Sequence, residues 1–245
     1  MRLNTLKSVI FDLDDTLYEE RNYFSSGFAV VSEYLERRGV GPRRVAAELL
    51  NRFHHAEGRQ EVFQKLAARL SFPDAWVPDL VQLFRLHHPD IALAADAREV
   101  LPRLRATTHL RLGCVTDGWL AVQRRKIEAL VVEPLLDALV ISDEFGRDFW
   151  KPHPKPILAC CARLGVRPSE AVFVGDNPER DMIGARRAGM ACIRIRRPGG
   201  YFMGTDFAGT DARADFEVRQ LTELESLLGG FQTRDPNTTV LAATR

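Results

Sequence analysis

The stretch richest in chemistry in this 245-residue chain is Val9-Ile10-Phe11-Asp12-Leu13-Asp14-Asp15-Thr16-Leu17, where an apolar run ends abruptly in three carboxylates and a threonine. The run from Lys7 to Phe11 is rich in β-branched and aromatic residues, which predicts a strand buried on both faces of a parallel sheet. The loop beyond such a strand is where an open α/β sheet binds its ligands. Carboxylates crowded there repel one another unless a cation, a proton or solvent relieves them, so a divalent metal is the simplest reading. Taken alone, the stretch is also compatible with a polar strand exit that does no chemistry.

Two later segments repeat the construction. Leu110 to Val115 is an apolar run ending in Thr116-Asp117-Gly118, and Ala171 to Val174 is another, ending in Gly175-Asp176-Asn177-Pro178-Glu179-Arg180-Asp181. Lys151-Pro152-His153-Pro154 stands between them. Each of these residues has a plainer reading. Lys151 alone would be a solvated lysine, Asp181 an acid favoured by a helix N-terminus, and Gly118 and Gly175 turn glycines. In this order and spacing, however, Asp-x-Asp-x-Thr, Thr-x-Gly, a lysine ahead of a proline-marked helix start and Gly-Asp-x-x-x-x-Asp together resemble the haloacid dehalogenase superfamily, over residues 7 to about 198.

That resemblance implies a Rossmann-like core, a doubly wound parallel sheet carrying a small α-helical cap, and a Mg²⁺-dependent phosphatase. It makes Asp12 the nucleophile that forms an aspartyl-phosphate and Asp14 the general acid and base. Asp176 becomes a direct Mg²⁺ ligand beside the Asp12 carboxylate and the Asp14 main-chain carbonyl. Thr116, with the N–H groups of Asp117 and Gly118, becomes the phosphate cradle. Lys151 steadies the nucleophile and the transferring oxygens, Asp181 reaches the metal through water or holds the lysine, and Thr16 supports the loop or the phosphate. Asp15 fills the variable position of the motif. Asp117 stands where the family often has asparagine, and a carboxylate there would repel a bound phosphate unless it points away.

Other readings use parts of the same set. A haloacid dehalogenase lacks the second aspartate of the first motif, so Asp14 argues against it. A phosphomutase shares that motif. A phosphorylation-switched receiver is shorter, without a helical insert, and a nucleotide-sugar transferase needs neither the lysine nor the Gly-Asp-x-x-x-x-Asp. A phosphate-binding regulatory protein without turnover is the reading from a different class. The expected substrate is a small phosphomonoester metabolite, either a nucleoside monophosphate or a sugar phosphate.

The composition is that of an ordinary globular protein, 45% hydrophobic and 27% charged, with 34 basic against 33 acidic side chains. So balanced a charge creates no field that would draw in nucleic acid or a membrane surface. The arginines at 194, 196, 197 and at 186, 187 read as solvated knots. Cys114, Cys160, Cys161 and Cys192 lack metal-site spacing and read as reduced core residues of a cytoplasmic protein. No run is long and apolar enough for a signal peptide or a bilayer span.

The elements that must position the motifs follow from periodicity. After Thr16 the apolar residues take helical spacing: Phe28, Val31, Leu35; Val45, Leu49, Phe53; Val62, Leu66, Leu70; and Val77, Leu80, Val81, Phe84. Turns are expected at Gly39-Val40-Gly41-Pro42, Gly58 and Ser71-Phe72-Pro73-Asp74. This predicts a cap over 18–92 inserted into a core of 1–17 and 93–228, with hinges near Tyr18 to Tyr23 and His87 to Asp96 and a loose tail over 229–245. From Asp96 the expected order is helix (Ala97–Ala106), strand (Leu110–Val115), helix (Trp119–Leu130), strand (Ala138–Ser142), helix (Pro156–Leu164), strand (Ala171–Val174), helix (Glu179–Ala188) and strand (Ala191–Ile195). His54-His55 and His87-His88 read as surface or hinge histidines rather than a metal site. Trp119 reads as packing at a helix start, and Gln123 and Lys126 as an exposed helix face, although both resemble residues that follow the second motif in relatives.

Overall fold

The computed structural model describes residues 6–56, 60–107, 110–205 and 209–228; the expected turn at Gly58 and tail over 229–245 lie outside them. The chain divides into an α/β unit, which takes the chain up to Tyr18, Leu93–Gly118 and the chain from Val132 on, and a helical unit of Glu19–Ala92 and Trp119–Val131.

The α/β unit is built on a six-stranded parallel sheet of β1 (Ser8–Phe11), β2 (Arg111–Thr116), β3 (Ala138–Ile141), β4 (Ala171–Gly175), β5 (Ala191–Ile195) and β6 (Phe216–Val218), in the order β3-β2-β1-β4-β5-β6. Ile10 stands in register with Gly113 on one side and Phe173 on the other. Every residue of β1 and β4 is buried, as parallel strands covered on both faces require. Five strands lie where the apolar runs place them. The sixth escapes notice because it is three residues long with only Val218 buried.

In this unit the helices are α5 (Ala95–Ala106), α7 (Lys155–Leu164), α8 (Ile183–Arg187) and the short α9 (Leu224–Leu227). Ile157, Cys160 and Leu164 of α7 pack with Ile10, Val115, Val140 and Phe173 in one buried cluster. The helix expected from Glu179 to Ala188 opens instead as a wide π turn over Pro178–Met182 before continuing as α8. Such turns gather at functional sites. The four cysteines are free and buried, and burial pushes the Cys160 thiol up to about 12.

The helical unit contains α1 (Glu20–Arg37), α2 (Arg43–Ala56), α3 (Val62–Leu70), α4 (Val77–Leu86) and α6 (Leu120–Leu130). Phe28, Val31, Leu35, Leu49, Leu50, Phe53, Leu66 and Leu80 close its core, each worth about 1.5–3 kcal/mol when buried. One position departs from the expected stripes. Val45 is 41% exposed, and Ala46 and Leu50 turn inward in its place. Chain order assigns α6 to the core, yet its contacts with α4 group it with the helical unit. Gln123 and Lys126 are therefore buried rather than displayed. The Lys126 ammonium lies 4.4 Å from the centre of the Tyr23 ring and 4.0 Å from Glu20.

Candidate active site at the strand ends

Three motifs end three adjacent central strands, β2, β1 and β4, and parallel strands deliver their loops to one edge. Asp12 follows β1 directly, and its N–H donates to the Val174 carbonyl of β4 at 2.8 Å. Thr116 is the last residue of β2, fully buried and in register with Ile141. Gly118 takes a φ of +135°, a region that side chains with a Cβ avoid. Lys151 arrives from the segment between β3 and α7.

The ammonium of Lys151 is the centre of the arrangement. It donates to Asp12 Oδ1 at 2.5 Å, to Asp181 Oδ1 at 2.7 Å and to the Val115 carbonyl at 3.3 Å. An ammonium has three protons, so all three are engaged within the protein. Its side chain is 2% exposed, with Asp12 at 8% and Asp181 at 1%. Burial works against the charged lysine, but the carboxylates of Asp12, Asp181 and Asp117 outweigh it and hold its pKa well above the ordinary value. Burial raises the Asp12 carboxyl, the carboxylates of Asp181 and Asp14 raise it further, and Lys151 opposes them. One buried ammonium thus faces more negative charge than it can balance.

Carboxylate oxygens of Asp12, Asp176 and Asp181 lie within 4.8 Å of one another, the one such group among the described residues that could hold a metal ion. Hard oxygen donors packed this closely suit Mg²⁺, and the surplus negative charge gives a cation reason to bind. Asp14 contributes no carboxylate to this trio. Its Oδ1 accepts a short hydrogen bond from the Tyr18 hydroxyl. Thr16 Oγ1 donates to Asp12 Oδ2 over a long 3.4 Å.

Asp181 owes its place to local sequence. Asn177 Oδ1 accepts from the N–H groups of Glu179 and Arg180 at 3.1 and 3.2 Å, which starts the turn. The N–H of Asn177 donates to Asp181 Oδ2 at 3.0 Å, leaving Oδ1 for the lysine. Gly175 is more than a turn residue, because a Cβ there would overlap the Asp181 carboxylate. Asp117 turns its Oδ1 toward the Lys151 backbone N–H at 3.1 Å and so ties the second motif to the lysine loop. Burial raises its pKa while Lys151 lowers it.

Several expectations are corrected here. Arg194 and Arg197 are not solvated but 4% and 7% exposed. His54 is buried, its ring 4.0 Å from that of Phe24, and His87 is buried too, while His55 and His88 are exposed. Asp15, outside the catalytic set by sequence, is buried at φ +51° and accepts the Tyr201 N–H at 3.0 Å.

A family model described as haloacid dehalogenase-like hydrolase matches residues 9–195. The chain is 30% identical over 228 residues to the glyceraldehyde 3-phosphate phosphatase of Methanopyrus kandleri, covering 89% of this chain and 95% of that protein. It is 30% identical to human N-acylneuraminate-9-phosphatase over 81% of this chain and 86% of the relative. The crystal structure of a phosphatase from Thermococcus onnurineus superposes with a TM-score of 0.61 at 28% identity, covering 92% of this chain and 99% of that one.

Proposed function

The chain belongs to the haloacid dehalogenase-like hydrolase family, and from that premise we propose that this phosphomonoester hydrolase acts on a small phosphorylated metabolite through an aspartyl-phosphate on Asp12, with Mg²⁺ as its cofactor. The observation that carries the reading is the buried bridge of Lys151 between Asp12 and Asp181. A carboxylate can attack a phosphate dianion only where fixed positive charge offsets the repulsion.

In this reading one Asp12 oxygen forms a bond to phosphorus as the bond to the leaving oxygen breaks, and Asp14 gives that oxygen its proton. Asp14, now a carboxylate, takes a proton from water as the water attacks the phosphoryl group, which releases phosphate, restores the Asp12 carboxylate and returns Asp14 to its acid form. The Thr116 hydroxyl and the N–H groups of Asp117 and Gly118 hold the phosphoryl oxygens. Lys151 orients Asp12, since its protons are engaged with Asp12, Asp181 and Val115; only the long Val115 contact is readily exchanged for a substrate oxygen. Asp12, Asp176 and the Asp14 main-chain carbonyl would hold Mg²⁺, with Asp181 steadying the lysine. The ion supplies charge neutralisation at the phosphate.

The names of the relatives favour a sugar-type phosphate over a nucleoside monophosphate. Four buried free thiols fit a reducing cytoplasmic setting, and no helix among the described residues is long and apolar enough to cross a membrane. The test is a phosphate-release screen across sugar phosphates, nucleoside monophosphates and three-carbon phosphates, with Mg²⁺ and after metal stripping in chelator. Release confined to the Mg²⁺ arm is expected, and full activity in chelator overturns the metal assignment.

A further inference from the structure

The steps above leave two buried arginines without a task. Arg197, just past β5, sends Nη1 to Asp96 Oδ1 at 2.9 Å and Nη2 to Asp96 Oδ2 at 3.1 Å, while the same Nη2 donates to the Thr16 carbonyl at 2.7 Å. Asp96 is also occupied from the other side, accepting the N–H of Leu221 at 2.8 Å. Arg194 reaches the Asp176 carbonyl at 3.4 Å. One end of β5 therefore touches the backbone of both acidic loops.

Stability alone does not explain the Arg197–Asp96 pair. The side chains are 7% and 10% exposed, and stripping water from two ions offsets most of their attraction, so well-packed apolar residues would stabilise the fold as well. What a guanidinium adds is a rigid plane that fixes two partners at once. Here the partners are Asp96 and the carbonyl of Thr16, at the end of the segment that carries Asp12 and Asp14. That segment is also held by its own turn, Leu17 N–H to the Leu13 carbonyl at 2.9 Å, by the Ala94 N–H on the Leu17 carbonyl at 3.0 Å and by the Tyr201 N–H on Asp15 Oδ2 at 3.0 Å. Arg197 adds a side-chain hold on the Thr16 carbonyl.

We propose that Arg197, oriented by Asp96, is a positioning residue for the hydrolysis: by holding the Thr16 carbonyl it sets the separation of Asp12 and Asp14 on which attack and proton transfer depend. The proposal rests on the phosphatase reading. The hydrogen bonds of Arg197 go to Asp96 and Thr16 and none to the phosphate cradle of Thr116 to Gly118, so its removal acts on kcat and leaves KM nearly unchanged.

The experiment compares wild type, Arg197→Lys, Arg197→Ala and Asp96→Asn with p-nitrophenyl phosphate and Mg²⁺. Misplacing reacting groups by about 1 Å reduces rate by about 100-fold. Arg197→Lys keeps the charge but not the fork, and kcat is expected to fall by about 10- to 100-fold with KM and thermal midpoint close to wild type. Asp96→Asn should produce a similar fall, the double variant no further one, and added guanidinium should recover part of the activity of Arg197→Ala. Unchanged kcat in Arg197→Lys, a rise confined to KM, or a loss that follows the unfolded fraction overturns the proposal while the phosphatase reading stands. Absence of phosphate release by the wild type overturns that reading and the proposal with it.

Discussion

The α/β unit buries a set of charges, whereas the helical unit buries mainly rings and aliphatic chains, with Lys126 its buried charge among the described residues. In the first, Asp12, Asp15, Asp176, Asp181, Lys151, Arg194 and Arg197 are all under 9% exposed. In the second, Phe24, Phe28, Phe63 and Phe84 interlock with centroids 5.5–6.4 Å apart. A buried charge is tolerated only beside its partner, so each identity in the first unit is dictated by another residue. An apolar core accepts many combinations of the same volume. The difference explains why one unit reads as chemistry and the other only as shape.

The largest test of that division is Asp12, the proposed nucleophile. Asp12→Asn should lower kcat by about 10⁴-fold or more, the scale of losing a covalent catalyst, and no phosphoryl mass should appear on quenched enzyme. Asp14→Asn should still be phosphorylated on Asp12 by an aryl phosphate, whose leaving group needs little protonation, and then dephosphorylate slowly. A phosphoryl group found on Asp14 itself would sink this assignment.

Lys151→Met comes next. It should reduce kcat by about 100-fold or more. The sequence alone suggests a fold left intact, but the burial of this lysine among carboxylates changes that expectation. Removing it strands negative charge and should destabilise the α/β unit by about 3–5 kcal/mol. Added Mg²⁺ should restore part of the thermal midpoint, and calorimetry with and without the ion measures this.

In the helical unit, Leu66→Ala empties a fully buried site and should destabilise by about 2–5 kcal/mol, with kcat per folded molecule unchanged. A large fall in kcat from a fully folded variant would break the comparison.

The smallest expected effect is at His87. Burial pulls its pKa below the ordinary value, the Phe84 carbonyl opposes this, and Arg125, His88 and Lys126 lower it further. Unfolding lets the ring take up a proton near pH 6.5 that the folded protein refuses, so stability is full above that pH and falls as pH drops below it. In His87→Asn, which keeps a donor for the Phe84 carbonyl, the slope of denaturant midpoint against pH between about 7 and 5 should flatten.

Sequence and structure agree best where a local pattern suffices. The carboxylates after β1 and β4 announce themselves because charge follows directly on apolar strands, and the four helices α1 to α4 because their stripes have one period. The buried arginines were illegible for the opposite reason. Arg197 meets Asp96 across 101 positions, and nothing near either residue tells a paired guanidinium from a solvated one. Gln123 and Lys126 sit on a helix whose polar face is covered, which their spacing cannot report. Gly175 was visible as a glycine, but the carboxylate that forbids a side chain there lies six positions on.

The strand order also sets a timetable for the growing chain. β1, made first, occupies the middle of the sheet, and its neighbours β2 and β4 begin at Arg111 and Ala171. Until then it is an apolar strand with two open edges, a hazard for aggregation during synthesis. The segment that follows it, Glu19–Ala92, holds four helices whose contacts are mostly local, the kind that forms fastest. Asp12 and Asp14 thus leave the ribosome before Thr116, Lys151 and Asp176, and before the arginine beyond β5 whose guanidinium donates to the Thr16 carbonyl.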